Sequence, residues 1–219
     1  MYHWVEDKEY LKRAYGVCSN IVNQLVQALE KDDIYAEMSI VGSKSRNMVT
    51  QNVNNPIDFD FNLEILDAPD FNDCRNLKET IRKAFNVVLN NNGWGDCQDS
   101  TSALTTEQRV FNQGNKTPFS IDVCIVCEDG GTWYRLIHKK TGFTYYDQWV
   151  WEATKNSQHL YEKVDYIKAC PGKWQLVRDR YLKKKNMYLT RNDIHHKSFV
   201  CYIEAVNEVY SILKNKNYK

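Results

Sequence analysis

Three aspartates stand where the sequence could do metal or proton chemistry. Asp58 and Asp60 are two apart in Ile57-Asp58-Phe59-Asp60-Phe61, and Asp122 lies in Ser120-Ile121-Asp122-Val123. Residues two apart on a strand project from one face with Cα atoms roughly 6.6 to 7 Å apart, so Asp58 and Asp60 can share divalent cations. Phe59 and Phe61 face the other way and anchor the strand in a core. Asp122 is an acid among apolar residues, sharing its face with Cys124 and Val126 while Ile121, Val123 and Ile125 face away. Such a charge is costly to bury without a cation or donor beside it, so it calls for a partner. Upstream, Val41-Gly42-Ser43 ends a strand in a Gly-Ser turn, followed by Lys44, Arg46 and Thr50. Glycine lets the backbone approach a phosphate closely, and the serine hydroxyl and free N–H groups can bind its oxygens.

The elements that must position these residues follow from periodicity. Tyr10, Leu11, Ala14, Val17, Cys18, Ile21, Leu25 and Ala28 recur at spacings of three and four, which predicts a helix over Glu6 to Glu30. Strands are expected over Tyr35 to Val41 and over Ile57 to Leu66, the latter with Ile57, Phe59, Phe61, Leu63 and Ile65 on one face and Asp58, Asp60, Asn62 and Glu64 on the other. A second helix starts at Pro69-Asp70 and stops at Asn90-Asn91-Asn92-Gly93. Ser102 to Phe111, Pro118 to Cys127, Thr132 to His138 and Phe143 to Tyr146 read as strands, with Asp129-Gly130-Gly131 as a hairpin turn. From Ser157 onward the pattern is helical, in segments His159 to Ala169, Lys173 to Lys185 and Arg191 to Lys214, with the change from α/β to all-α near Gln148 to Asn156.

A Gly-Ser turn after a strand, a loop, Asp-Phe-Asp on the next strand and a lone Asp on a later one: this ordered set, from Ile40 to about Cys127, resembles the DNA polymerase beta-like nucleotidyltransferase superfamily. The resemblance implies an α+β fold, with a nucleotidyltransferase core of mixed sheet flanked by helices over residues 1–150 and a small C-terminal helical lobe over 151–219. It implies that Gly42 and Ser43 hold the β- and γ-phosphates of an NTP, with Lys44, Arg46 and, from the helical lobe, Lys173 adding positive charge. Asp58 and Asp60 would ligate both Mg²⁺ (or Mn²⁺) ions, and Asp122 would hold the catalytic one while helping to deprotonate an acceptor hydroxyl. The products would be a nucleotidylated acceptor, a small molecule or a nucleotide, and pyrophosphate. The long loop between Ser43 and Asp58 resembles the oligoadenylate synthetase and cyclic GMP-AMP synthase-like branch, with its bacterial cyclic dinucleotide synthases, more than the compact antibiotic-modifying members. Two alternatives stay open: transfer to an aminoglycoside or lincosamide antibiotic, and a nucleotide-binding module without turnover. Three carboxylates converging at a repulsive site argue against the second.

Composition bounds these readings. With 219 residues, 42% hydrophobic and 26% charged, the chain has the make-up of an ordinary globular protein, which excludes disorder and collagen-like repeats. No apolar run approaches the ~20 residues of a membrane span and the first residues are too polar for a secretory segment, so a cytoplasmic protein without membrane contact is expected. Seven scattered cysteines fit reduced thiols. Net charge is +1, yet 13 Lys and Arg stand against 5 Asp and Glu from Lys163 onward, which makes the tail basic and the body acidic. A nucleic-acid acceptor is allowed by that tail but not favoured by the near-neutral whole.

Other motifs have plainer readings. Cys124 and Cys127 are three apart on a strand and face opposite ways, so they are core thiols and not a metal pair. His195 and His196 diverge by about 100° on a helix and read as solvated. The aromatics Trp133, Tyr134, Tyr145, Tyr146, Trp149 and Trp151 read mainly as packing between sheet and helices, with stacking on a nucleobase as the other use.

Overall fold

The computed structural model describes residues 1–154, 159–193 and 197–216. In chain order the elements are β1 (Tyr2–Trp4), α1 (Lys8–Leu29), β2 (Tyr35–Ile40), α2 (Gly42–Ser45), β3 (Thr50–Asn52), β4 (Ile57–Asp67), α3 (Cys74–Asn91), β5 (Gln98–Asp99), β6 (Leu104–Thr105), β7 (Phe119–Asp129), β8 (Thr132–Lys139), β9 (Gln148–Ala153), α4 (Leu160–Ala169), α5 (Trp174–Thr190) and α6 (Ser198–Lys216). They fall into two compact units that interleave in sequence. One comprises Val5–Val49 and Asn54–Thr154; the other comprises Met1–Trp4, Thr50–Val53 and Lys155–Lys219.

The first unit is a seven-stranded mixed sheet with two long helices on its apolar face. β4 lies between β2, antiparallel, and β7, parallel. The far edge of β7 is shared: β6 pairs with it at Thr105↔Asp122 and β8 pairs with it from Val126↔Arg135 onward, both antiparallel. β5 extends β6, and β9 extends β8. Phe59, Phe61, Leu63, Ile121, Val123 and Ile125 are all buried and form one core with Ala14, Cys18, Ile21 and Leu25 of α1 and Leu77, Ile81, Phe85 and Leu89 of α3. Both helices start on aspartate caps: the Asp7 carboxylate accepts from Tyr10 N–H at 2.9 Å and that of Asp73 accepts from Asn76 N–H at 3.0 Å. The Asp129-Gly130-Gly131 turn joins β7 to β8, with φ of +55° and +79° at the two glycines, as a tight hairpin requires.

Several local expectations give way to tertiary context. The second helix begins at Cys74, where Asp73 provides the cap, and not at Pro69. The strand expected over Ser102 to Phe111 shrinks to Leu104–Thr105, apart from an isolated bridge between Arg109 and Phe119. Phe143 to Tyr146 is no strand: Thr144–Tyr146 is a 3₁₀ turn, closed by Thr141 donating from N–H and hydroxyl to Asp147 Oδ1 at 2.7 and 3.0 Å. The neighbouring strand is instead β9, whose Trp149 and Trp151 pack against the main core. Tyr145 and Tyr146 stay exposed. Cys124 and Cys127 are buried, and all seven cysteines are free thiols.

In the second unit α6 packs against α4 and α5, with Ile167, Val177, Ala205, Val206 and Val209 fully enclosed. The β1–β3 ribbon rests on α5, where the Trp4 and Tyr181 rings stack at 6.1 Å and Lys185 Nζ donates to Thr50 Oγ1 at 2.8 Å. The third helical segment starts at Ser198 among the described residues; His195 and His196 lie outside them. No described helix is long and apolar enough to cross a membrane.

Candidate functional site

Strand phase brings the three aspartates together. Asp60 lies opposite Asp122 across the parallel β4–β7 pair, and Asp58 lies opposite Ser120 two residues earlier. Because Phe59, Phe61, Ile121 and Val123 are locked in the core on the other side, all three carboxyl groups emerge on the same face. Asp58 is exposed, whereas Asp60 and Asp122 are half-buried.

The Gly-Ser turn closes over this face. Val41 N–H donates to the Asp60 carbonyl at 2.9 Å, which pins the end of β2 to β4 immediately before the turn. Gly42 then adopts φ +68°, and a Cβ on it would lie 2.0 Å from Asp60 Oδ2 and 2.8 Å from its Cγ. Glycine is therefore required twice, by backbone conformation and by the carboxylate against it. The rest of the turn folds back on itself: Arg46 donates to the Gly42 carbonyl at 2.6 Å, Ser45 Oγ donates to the same oxygen at 3.0 Å, and Met48 N–H donates to the Ser43 carbonyl at 2.8 Å. The Lys44 ammonium sits over the Tyr15 ring, 5.3 Å from its centre. Lys173 is exposed at the start of α5, in the second unit.

Electrostatics single out Asp60. Burial, with Asp122 and Asp58 beside it, pushes its carboxyl up to about 6, against the opposing pull of Arg46 and Arg135. Asp122 is also raised, mainly by burial and further by Asp58, while the hydrogen bond from Thr105 works the other way. Two hydroxyls not singled out in the sequence hold the flanking acids: Ser120 Oγ donates to Asp58 Oδ1 and Thr105 Oγ1 donates to Asp122 Oδ1, each at 2.6 Å. Ser120 was readable from the strand alternation that exposes Asp122. Thr105 required the pairing of β6 with β7.

The donor set fits a divalent cation of the magnesium type: carboxylate oxygens only, repelling one another at a half-buried site, beside a turn where a side chain would fill the space. Among the described residues no three such side chains are drawn tightly enough to form a ready metal cage. Asp58 and Asp122 each have one oxygen turned to a hydroxyl.

This mixed sheet, with a turn after its edge strand and two adjacent parallel strands carrying the acids, has the polymerase beta-like fold. Among solved structures it is similar to CdnC of Escherichia coli MS115-1 with ATP, at TM-score 0.58 and 14% identity over 92% of this chain and 61% of that one. CdnC in its complex with HORMA-deltaN matches at TM-score 0.55 and 14% identity, over 92% of this chain and 60% of that one. A third, the CdnE cyclic dinucleotide synthase of Elizabethkingia meningoseptica with GTP and Apcpp, matches at TM-score 0.49 and 15% identity, over 87% of this chain and 68% of that one. The chain spans about three fifths of the CdnC chains. No protein-family model and no curated protein sequence matches it.

Proposed function

We propose that the protein is a metal-dependent nucleotidyltransferase that moves a nucleoside monophosphate from an NTP to an acceptor hydroxyl, releases pyrophosphate and makes a nucleotide signal in the cytoplasm. The observation that carries this reading is the packing of the Gly42 backbone against Asp60, itself paired across the sheet with Asp122. It sets the turn backbone, with no side chain between, directly against two adjacent carboxylates. The fold shared with CdnC, a protein solved with ATP, supports the same assignment.

In this reading the turn backbone after Val41 and the Ser43 hydroxyl bind the β- and γ-phosphates, with Lys44 and Arg46 countering their charge. Asp58, Asp60 and Asp122 hold Mg²⁺ or Mn²⁺, which when bound supplies charge stabilisation to the attacking and leaving oxygens. The bond from the acceptor oxygen to the α-phosphorus forms as the bond from that phosphorus to the β-phosphate bridging oxygen breaks. The acceptor proton passes to Asp122.

Incubation with each NTP and Mg²⁺ or Mn²⁺, followed by mass spectrometry, tests the assignment. A linked or cyclic nucleotide formed from NTP alone supports it. Product that appears only with an added aminoglycoside or lincosamide overturns the nucleotide-signal assignment.

A further inference from the structure

Lys78 poses a question that the acid site does not answer. It lies on the buried face of α3 and is 1% exposed, in company with Leu77, Ile81 and Phe85. A buried ammonium is tolerated only when its protons are taken up by partners. Burial lowers the proton affinity of Lys78 and Asp99 works against that, through an ion pair of 2.6 Å. A further proton of the ammonium goes to the Ser100 carbonyl at 3.0 Å.

Ser100 is thus fixed at a corner, with its N–H also donating to the Ala103 carbonyl at 2.9 Å. Its side-chain oxygen lies 3.1 Å from Thr105 Oγ1. A threonine hydroxyl has one proton, and that of Thr105 goes to Asp122 Oδ1 at 2.6 Å, so Thr105 must accept from Ser100. Donation therefore runs one way, from Ser100 to Thr105 to Asp122, from a corner clamped by Lys78. On β7 two residues before Asp122, Ser120, 3% exposed, makes the matching bond across to Asp58 Oδ1 of β4. Against the Asp60 carboxylate the described neighbour is the Gly42 backbone.

We propose that Lys78, Ser100 and Thr105 form a positioning relay for Asp122. The relay occupies Oδ1, fixes the carboxylate rotation and leaves Oδ2 for a bound divalent cation, while Ser120 does the same for Asp58. The buried lysine is then a support for the metal-binding face, acting through the Ser100 corner and not by touching substrate. This inference rests on the metal-binding assignment made above and adds the residues that orient its ligands. Groups that orient ligands typically change metal affinity or activity by about 10- to 100-fold when removed.

The test is Mn²⁺ affinity, read by electron paramagnetic resonance on the whole chain, with circular dichroism as the check on folding. Thr105→Val keeps the shape and deletes the hydroxyl; it should weaken Mn²⁺ binding by about tenfold or more, and Thr105→Ser should restore it. In turnover the same pair should differ in kcat while KM for the NTP holds, since the turn that grips the phosphates is untouched. Should Thr105→Val fail to fold, Ser100→Ala removes the donor behind it and must still weaken Mn²⁺ binding. Wild-type affinity in a folded Thr105→Val or Ser100→Ala variant overturns the relay. Asp122→Asn separates the two levels of the argument: if it binds Mn²⁺ as the wild type does, or if the wild type binds none, the metal assignment falls and the relay with it. Loss in Asp122→Asn with no loss in Thr105→Val overturns the relay alone.

Discussion

Gly42 and Asp60 are packed so closely that no other residue type fits at position 42 without moving the carboxylate: a Cβ there would sit 2.0 Å from Asp60 Oδ2. The contact couples the turn to the acids, since φ +68° at Gly42 aims the turn and Asp60 occupies the space the missing side chain leaves. Gly42→Ala should therefore cost about 1 to 2 kcal/mol in stability from backbone conformation. Its effect on the site should be larger, because Asp60 has to rotate away. Thermal melting and NTP titration of the same variant check this; a variant that melts lower yet binds NTP as the wild type does would separate the turn from the site.

Asp60→Asn should stabilise the metal-free protein at neutral pH. The folded carboxyl titrates at about 6, above the value near 3.8 of an exposed aspartate, so between those values the folded chain binds more protons than the unfolded one. Stability consequently falls as pH rises through that window, and the deficit is complete above it. The neutral asparagine removes the deficit, which should raise stability by roughly 3 kcal/mol at pH 7.5. The gain should vanish near pH 4. Melting curves of both proteins at the two pH values, in chelator, measure the difference, and a variant less stable than wild type at pH 7.5 would contradict the repulsion described for this face.

The same carboxyl predicts how metal uptake depends on pH. Protonation of Asp60 removes a ligand charge, and Asp122 is shifted in the same direction, so Mn²⁺ affinity should drop steeply as pH falls through about 6. For carboxylates at ordinary values the drop would come about two units lower. Titrations at pH 7.5, 6 and 5 and constant ionic strength distinguish the two.

Residue by residue, part of this site is legible in the sequence. The alternation of Ile57, Phe59 and Phe61 with Asp58 and Asp60 sets the strand phase by itself, because a one-residue slip would bury the acids and expose the phenylalanines. Asp122 follows by the same reasoning from Ile121 and Val123. Gly42 was readable as a turn glycine, whereas its contact with Asp60 needed the Val41 hydrogen bond to β4. Thr105 was hidden, since only two residues of the expected Ser102 to Phe111 strand pair as β6 and nothing local says which of them meets Asp122. Phe143 to Tyr146 misled by composition: aromatic residues favour strands, yet Thr141 and Asp147 close this segment into a turn and leave Tyr145 91% exposed. β9 was missed for the opposite reason, as Trp149, Val150 and Trp151 are all partly covered and show no clean two-residue alternation.

Ser43→Ala tests the phosphate-binding role of the turn without disturbing its shape. One hydrogen bond to a charged oxygen contributes about 1.5 to 3 kcal/mol, so NTP affinity should fall by roughly 10- to 150-fold, with a much smaller change for the NMP. Calorimetry with a non-hydrolysable NTP and with the NMP gives both numbers, and equal losses would mean that Ser43 does not read the terminal phosphates.

The central claim, that this face transfers a nucleotidyl group, is tested most directly by measuring pyrophosphate release from α-labelled NTPs with Mn²⁺, in the wild type and Asp60→Asn side by side. The account predicts pyrophosphate in step with label appearing in a nucleotidylated product for the wild type, and neither for a folded Asp60→Asn. Pyrophosphate release that persists unchanged in Asp60→Asn, or NTP binding by the wild type with no release from any NTP, would contradict it.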